Sequence, residues 1–187
     1  MLAKKKIGFI DLFIDEWHAN NYPKWFREAK RSNEFELGYA WEESTMEGRR
    51  NLQQWCAEMG MTPACSMEEA GEKSDCICVL APANPEVHER LAAFALKSGK
   101  PVYIDKPFAE SLATAERIFE TAEKYNTPLM SVYIAGHIFG CGLGSDEHKS
   151  KQIHSHGGHF LNYSKTCRHV CEQVVKKSKK QRFLRKK

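Results

Sequence analysis

The feature that most constrains this chain is an alternation of two patterns. Short apolar runs, each the length of a buried strand, are separated by stretches with helical periodicity. Cys76–Leu80 is continuous, apolar and β-rich, which suits a strand covered on both faces. Ile7–Ile10, Glu36–Trp41, Thr62–Cys65, Val102–Ile104 and Leu129–Tyr133 read as five further strands. Between them, Leu52, Trp55, Cys56 and Met59 fall at i, i+3, i+4 and i+7, with Gly60 as the stop. Asn84-Pro85 is read as a helix start, with Val87, Leu91, Phe94 and Ala95 as its apolar stripe and Gly99 at its end. Ser111 caps a third helix carrying Leu112, Ala115, Ile118, Phe119 and Ala122. Pro23 falls inside Trp17–Lys30, so that helix is expected to begin near Asn21 or to kink. Strands and helices alternating through short connections require parallel strands with right-handed crossovers. The expected fold class is therefore α/β, a doubly wound parallel sheet.

Charge divides the chain. Residues 1–137 carry 16 Lys and Arg against 21 Asp and Glu, whereas residues 138–187 carry 12 against 3. Net charge thus changes from −5 to +9 across a boundary near Gly136. The expected organisation is a folded domain over residues 1–135 and a basic, His-rich tail, largely disordered, over residues 136–187. The seven cysteines include no CxxC pair, which points to a reducing cytoplasm. The basic N-terminus is followed by Asp11, Asp15 and Glu16 rather than an apolar run, so neither a signal peptide nor a membrane span is expected.

In a sheet of this kind, ligands bind beyond the carboxyl ends of the strands. Four loops therefore matter. After the first strand, Asp11-Leu12-Phe13-Ile14-Asp15-Glu16 stands where a dinucleotide site carries GxGxxG. The glycines that bring backbone amides up to a pyrophosphate are absent, and acids here repel phosphate. After the second strand, Glu42 and Glu43 suit an adenosine-ribose contact that accepts from both hydroxyls and repels a 2′-phosphate; a solvated acidic loop explains them equally well. After the fourth, Ala81-Pro82-Ala83-Asn84 leads into a helix N-terminus, with His88 in its first turn as a cleft residue or a half-buried helix histidine. After the fifth come Asp105 and Lys106. A lysine at a strand's carboxyl end faces the cleft, and Pro107 holds it out of helical conformation, with a cis Lys-Pro bond as one form.

Taken together these residues resemble the glucose–fructose oxidoreductase / inositol 2-dehydrogenase (Gfo/Idh/MocA) family over about residues 5–135. The resemblance rests on Asn84-Pro85-x-x-His88, on Ser98-Gly99-Lys100-Pro101-Val102-Tyr103-Ile104-Asp105-Lys106-Pro107, on Ala115-Glu116 and on Leu129-Met130-Ser131-Val132. The family's Glu-Lys-Pro reads Asp-Lys-Pro here. The resemblance implies a Rossmann-type NAD(P)-dependent oxidoreductase module, with Lys106 as its catalytic residue. It implies a cofactor, NAD rather than NADP, contacted by Asp11, Phe13, Glu42, Ala81, Pro82, Asn84, His88 and Asp105. Full-length relatives are expected to move hydride to or from a sugar or polyol carbon, using a second, open-sheet domain that supplies the catalytic histidine. A rival reading is a non-catalytic nucleotide- or sugar-binding or regulatory module that kept the fold.

The tail does not resemble that second domain. His154, His156 and His159 form a weak metal-ligand pattern bracketed by Gly157-Gly158, and no metal site is expected. Lys176–Lys187 is a basic run suited to an acidic surface, and nucleic acid is a minor expectation. Cys167 and Cys171 fit one face of a short helix over 166–175. The abrupt change after Val132-Tyr133 also fits a truncated product whose reading frame shifts near Gly136.

Overall fold

A computed structural model describes residues 3–131. The expectations for the tail, including its histidine cluster, its short helix and its disorder, lie outside the described residues. The elements run β1 (Lys5–Asp11), α1 (Trp17–Glu28), β2 (Phe35–Glu42), α2 (Leu52–Met59), β3 (Thr62–Pro63), α3 (Met67–Glu72), β4 (Cys76–Val79), α4 (His88–Leu91), β5 (Val102–Ile104), α5 (Leu112–Lys124) and β6 (Leu129–Met130). The six strands form one sheet in the order β3-β2-β1-β4-β5-β6, and every pairing is parallel. The order reverses between β1 and β4, which places the switch point at their carboxyl ends. This is the doubly wound, Rossmann-like α/β fold that the alternation requires.

The period-2 strands divide their side chains between two cores. Ile7, Phe9, Cys78 and Leu80 face α1 and α2, where they meet Ala19, Trp55 and Cys56. Ile10, Ile77, Val79, Val102 and Ile104 face the other way, onto Ala70, Leu91, Ala115 and Ile118 of α3, α4 and α5. Phe9 is surrounded by the rings of Tyr22, Phe26 and Trp55 at centroid distances of 6.2–6.4 Å, contacts worth about 1 kcal/mol each beyond burial. Gly8 is dictated by close packing, since a Cβ there would sit 2.3 Å from the Ser74 hydroxyl oxygen.

Several local expectations are corrected. Helix α1 does not start late. It begins at Trp17 because Glu16 caps it, accepting from the amides of His18 and Ala19, and it carries buried Pro23 in its interior. The proline is retained there because neighbouring turns of α1 anchor the helix, with Tyr22 and Phe26 packed on Phe9. The stretch after Asn84 is not one capped helix. It divides into a 3-10 turn at Pro85–Val87, the single turn of α4, and another 3-10 turn at Ala95–Lys97. Asn84 makes no cap bond; its amide donates to Glu86 instead, at 3.0 Å. Helix α3, capped by Ser66, was not expected, because six residues are too few to show a 3.6-residue period. Gly60 and Gly99 end their segments in left-handed conformation, at φ +68° and +71°. Ser111 caps α5 as expected.

One brace ties α1 to the β2–α2 connection. Buried Asp15 accepts from the Arg50 backbone N–H at 3.0 Å and from its guanidinium at 2.6 and 3.1 Å. Asn20 donates to Asp15 and accepts from Arg50 and from the Trp55 indole. The Arg50 hydrogen bonds hold the Asp15 carboxyl well below the usual carboxylate range.

Two outcomes are expected. Deleting residues 138–187 leaves a single cooperative thermal transition, because strand, helix and both cores close within the described residues; an aggregated or unfolded product would contradict that boundary. Asp15→Asn lowers stability by about 2 kcal/mol at pH 7. A depressed native pKa contributes stability above the unfolded value near about 4 and loses it as pH falls further. The variant's stability curve below that pH is therefore flatter than wild type's, as denaturant melts across the acid range will show.

Candidate functional site

The carboxyl ends of β1, β2, β4 and β5 meet along one edge. Asp11, the last residue of β1, is 1 % exposed. Its Oδ1 accepts from the amides of Leu12 at 2.7 Å, Phe13 at 3.3 Å and Ala81 at 3.0 Å. Its Oδ2 is buried without a hydrogen-bond partner. Burial, reinforced by nearby Glu16, raises the Asp11 pKa well above the carboxylate range, against the pull of the three amides.

The rest of the β1–α1 loop is satisfied in the same way. The Ile14 amide donates to Glu42 Oε2 at 3.0 Å, and Glu42 Oε1 accepts from the Thr45 hydroxyl at 2.6 Å. Glu16 takes the amides of His18, at 2.7 Å, and Ala19. Five amides of the loop and first helical turn, those of Leu12, Phe13, Ile14, His18 and Ala19, are thus bonded to carboxylates of this chain. A dinucleotide's pyrophosphate needs free amides at this position. The residues present do not fit it: the donors are spent, and three acidic side chains stand in their place.

The β4 side of the edge is held by His88. The expectation that His88 faces the cleft is corrected, since its side chain is fully buried. Nδ1 lies 3.1 Å from the Phe108 carbonyl oxygen, and Nε2 lies 2.7 and 3.1 Å from those of Leu80 and Ala81. The carbonyls of Leu80 and Ala81 after β4 and of Phe108 beyond β5 converge on the ring, and that of Ala81 also accepts from the Asn84 N–H at 2.9 Å. Ala81 adopts φ +46°, a left-handed conformation costly for a non-glycine residue. It is held from both sides, its N–H by Asp11 and its carbonyl by His88. Pro82 and Asn84 are half-buried in the following turn. Glu43, beyond Glu42, pairs with Arg90.

At the end of β5, Asp105 is fully buried. Its Oδ1 accepts from the Lys106 amide at 2.8 Å and from the hydroxyls of Tyr103 at 2.8 Å and Tyr22 at 3.3 Å. Burial pushes both tyrosine hydroxyls up in pKa. His18 Nε2 approaches Asp105 Oδ2 at 3.8 Å, and its Nδ1 meets Glu16 at 3.3 Å. Lys106 is half-buried beside this cluster, and its bond to Pro107 is cis. The structure thus brings Asp11, Phe13, Glu42, Ala81, Asp105 and Lys106 to one edge. The sequence reading missed His18, Tyr22 and Tyr103, whose only signal was placement on α1 and β5. A large apolar groove of about 550 Å³, lined by Tyr22, Trp25, Phe26, Tyr103 and Met130 among others, also touches Pro101 and Pro128. Tyr22 and Tyr103, whose hydroxyls donate to Asp105, connect it to this edge.

Among the described residues no helix is long and apolar enough to cross a membrane. The family model for the oxidoreductase family, NAD-binding Rossmann fold (Gfo/Idh/MocA), matches residues 27–133. Among curated proteins, none matches the sequence. Solved structures share the fold. Biliverdin reductase from Synechocystis, in complex with biliverdin and NADP+, is 20 % identical with a TM-score of 0.55, covering 70 % of this chain and 38 % of its own. The WlbA dehydrogenase of Bordetella pertussis, with NADH and UDP-GlcNAcA, is 17 % identical with a TM-score of 0.57, covering 72 % and 36 %. An oxidoreductase from Agrobacterium radiobacter, with NAD+, L-tartaric acid and magnesium, is 17 % identical with a TM-score of 0.57, covering 76 % and 42 %. The chain therefore spans less than half the length of each of these proteins. With more than half of its residues matched by the family model, the chain belongs to the Gfo/Idh/MocA oxidoreductase family, of which it carries the NAD-binding Rossmann domain.

Proposed function

We propose that residues 3–131 form the nucleotide domain of an NAD(P)-dependent oxidoreductase and do not complete hydride transfer by themselves. The observation that carries the reading is Asp105-Lys106 at the carboxyl end of β5, beside the ends of β1, β2 and β4, within the domain that the NAD-binding family model matches. Lys106 is the residue placed to meet substrate at this edge. The substrate of a completed enzyme is a sugar or polyol, in keeping with the UDP-GlcNAcA bound by the WlbA dehydrogenase. Dinucleotide binding, where it occurs, is weak and favours NAD over NADP, because a carboxylate at Glu42 repels a 2′-phosphate. A cytoplasmic setting accords with the free thiols of Cys56, Cys65, Cys76 and Cys78.

A second reading is a binding or regulatory module that kept the fold without the chemistry. The loop amides already bonded to Asp11, Glu16 and Glu42 favour it.

The two readings share one test. The chain is mixed with NAD and a panel of sugars and polyols while reduced nicotinamide is followed; no turnover is expected. Clear turnover that Lys106→Ala abolishes would show that one domain suffices and would end the half-enzyme account. In parallel titrations, Glu42→Ala is expected to narrow the preference for NAD, and tight NADP binding by wild type would contradict the role given to Glu42.

A further inference from the structure

The β1–α1 loop has the geometry of an anion site whose anion is part of the protein. We propose that Asp11, Glu16 and Glu42 close this loop from within, so that the chain selects cleft ligands that carry no diphosphate. The inference rests on the same reading of the strand ends as the ligand cleft, and of the two functions proposed above it develops the binding-module reading.

Closure has two parts, occupancy and charge. Occupancy is visible atom by atom. Leu12, Phe13 and Ala81 donate to one oxygen of Asp11, Ile14 donates to Glu42, and His18 and Ala19 donate to Glu16. The acceptors are already tethered within reach, and a ligand phosphate must displace each of them. Charge is the lesser part, from the Glu16 and Glu42 side chains beside which a diphosphate would enter. The loop has little freedom to rearrange. Asp15 is clamped by Arg50, Asn20 by Trp55, and left-handed Ala81 by Asp11 and His88. Asp11 Oδ2, buried and without a partner, faces no donor that a ligand would need to replace. The same acids do not obstruct a neutral, hydroxyl-rich ligand at the outer edge, where Asp105 and Lys106 lie.

The test separates occupancy from charge with two double variants, probed with NAD and with inorganic pyrophosphate by calorimetry and thermal shift. Wild type is expected to show no saturable binding of either probe below about 1 mM. Asp11→Asn with Glu16→Gln keeps the acceptors in place and removes the charges; the affinity gain is expected to stay within about twofold. Asp11→Gly with Glu16→Gly removes the acceptors of the Leu12, Phe13, Ala81, His18 and Ala19 amides and leaves Ile14 on Glu42; glycine is itself a tolerated helix cap. A gain of at least about tenfold is expected. Micromolar binding by wild type overturns the proposal. So does a folded glycine variant with no gain, or an Asn/Gln variant that gains about tenfold, which would leave charge alone as the barrier. Should the glycine variant fail to fold, the wild-type and Asn/Gln results still decide the question. Two outcomes separate this inference from the half-enzyme reading. Micromolar NAD binding by wild type without turnover overturns closure and leaves that reading standing. Turnover by the glycine variant alone does the reverse.

Discussion

The carboxylate of Asp11 is the interaction on which the functional edge depends. It ends β1, holds the first two amides of the next loop, and reaches across the sheet's switch point to the Ala81 amide after β4. Ala81 is thereby fixed in a left-handed turn, with His88 Nε2 against its carbonyl and Nδ1 near that of Phe108 beyond β5. Two buried polar side chains thus staple the ends of three adjacent strands. The ionised form of Asp11 is disfavoured by burial and by Glu16. The energetic disadvantage of a carboxylate at this depth is concentrated where a glycine would ordinarily leave room for a ligand.

The fold and its edge chemistry have separable origins. Strand alternation, the two cores and the crossover order require only apolar residues at the right period, and these the chain retains. A pyrophosphate site requires something more local, namely amides without intramolecular partners. Replacing glycines by acids leaves Phe9, Ile77 and Ile104 packed as before, and it changes what the loop above them can hold. Membership of an NAD-binding family and closure of the diphosphate site are therefore compatible statements about one chain.

Much of this was legible in the sequence. The Cys76–Leu80 run and the Trp55 stripe announce themselves through pattern and spacing, and the Asp-Lys-Pro segment through the family resemblance. The missing glycines were equally plain, and they foreshadowed a site unfit for phosphate. The direction of His88 was not legible, because it depends on where the carbonyls of Leu80, Ala81 and Phe108, outside its own helix, come to lie. The Asp15–Arg50 clamp joins residues 35 positions apart, and no local pattern records it. The occupancy of the loop amides was likewise hidden. Sequence shows that acids are present; only the backbone path shows that Glu42, on β2, reaches the Ile14 amide on the far side of the loop.

The most direct measurement of the central claim is an amide NMR titration of the intact chain with inorganic pyrophosphate at neutral pH, following Leu12, Phe13, Ile14, His18 and Ala19. If carboxylates of this chain hold those five N–H groups, their resonances stay in place up to about 10 mM pyrophosphate, beyond the range of a weak millimolar ligand. A concerted, saturable shift of the same five at micromolar pyrophosphate would show that the loop opens to phosphate, and the account of a self-closed site would be wrong.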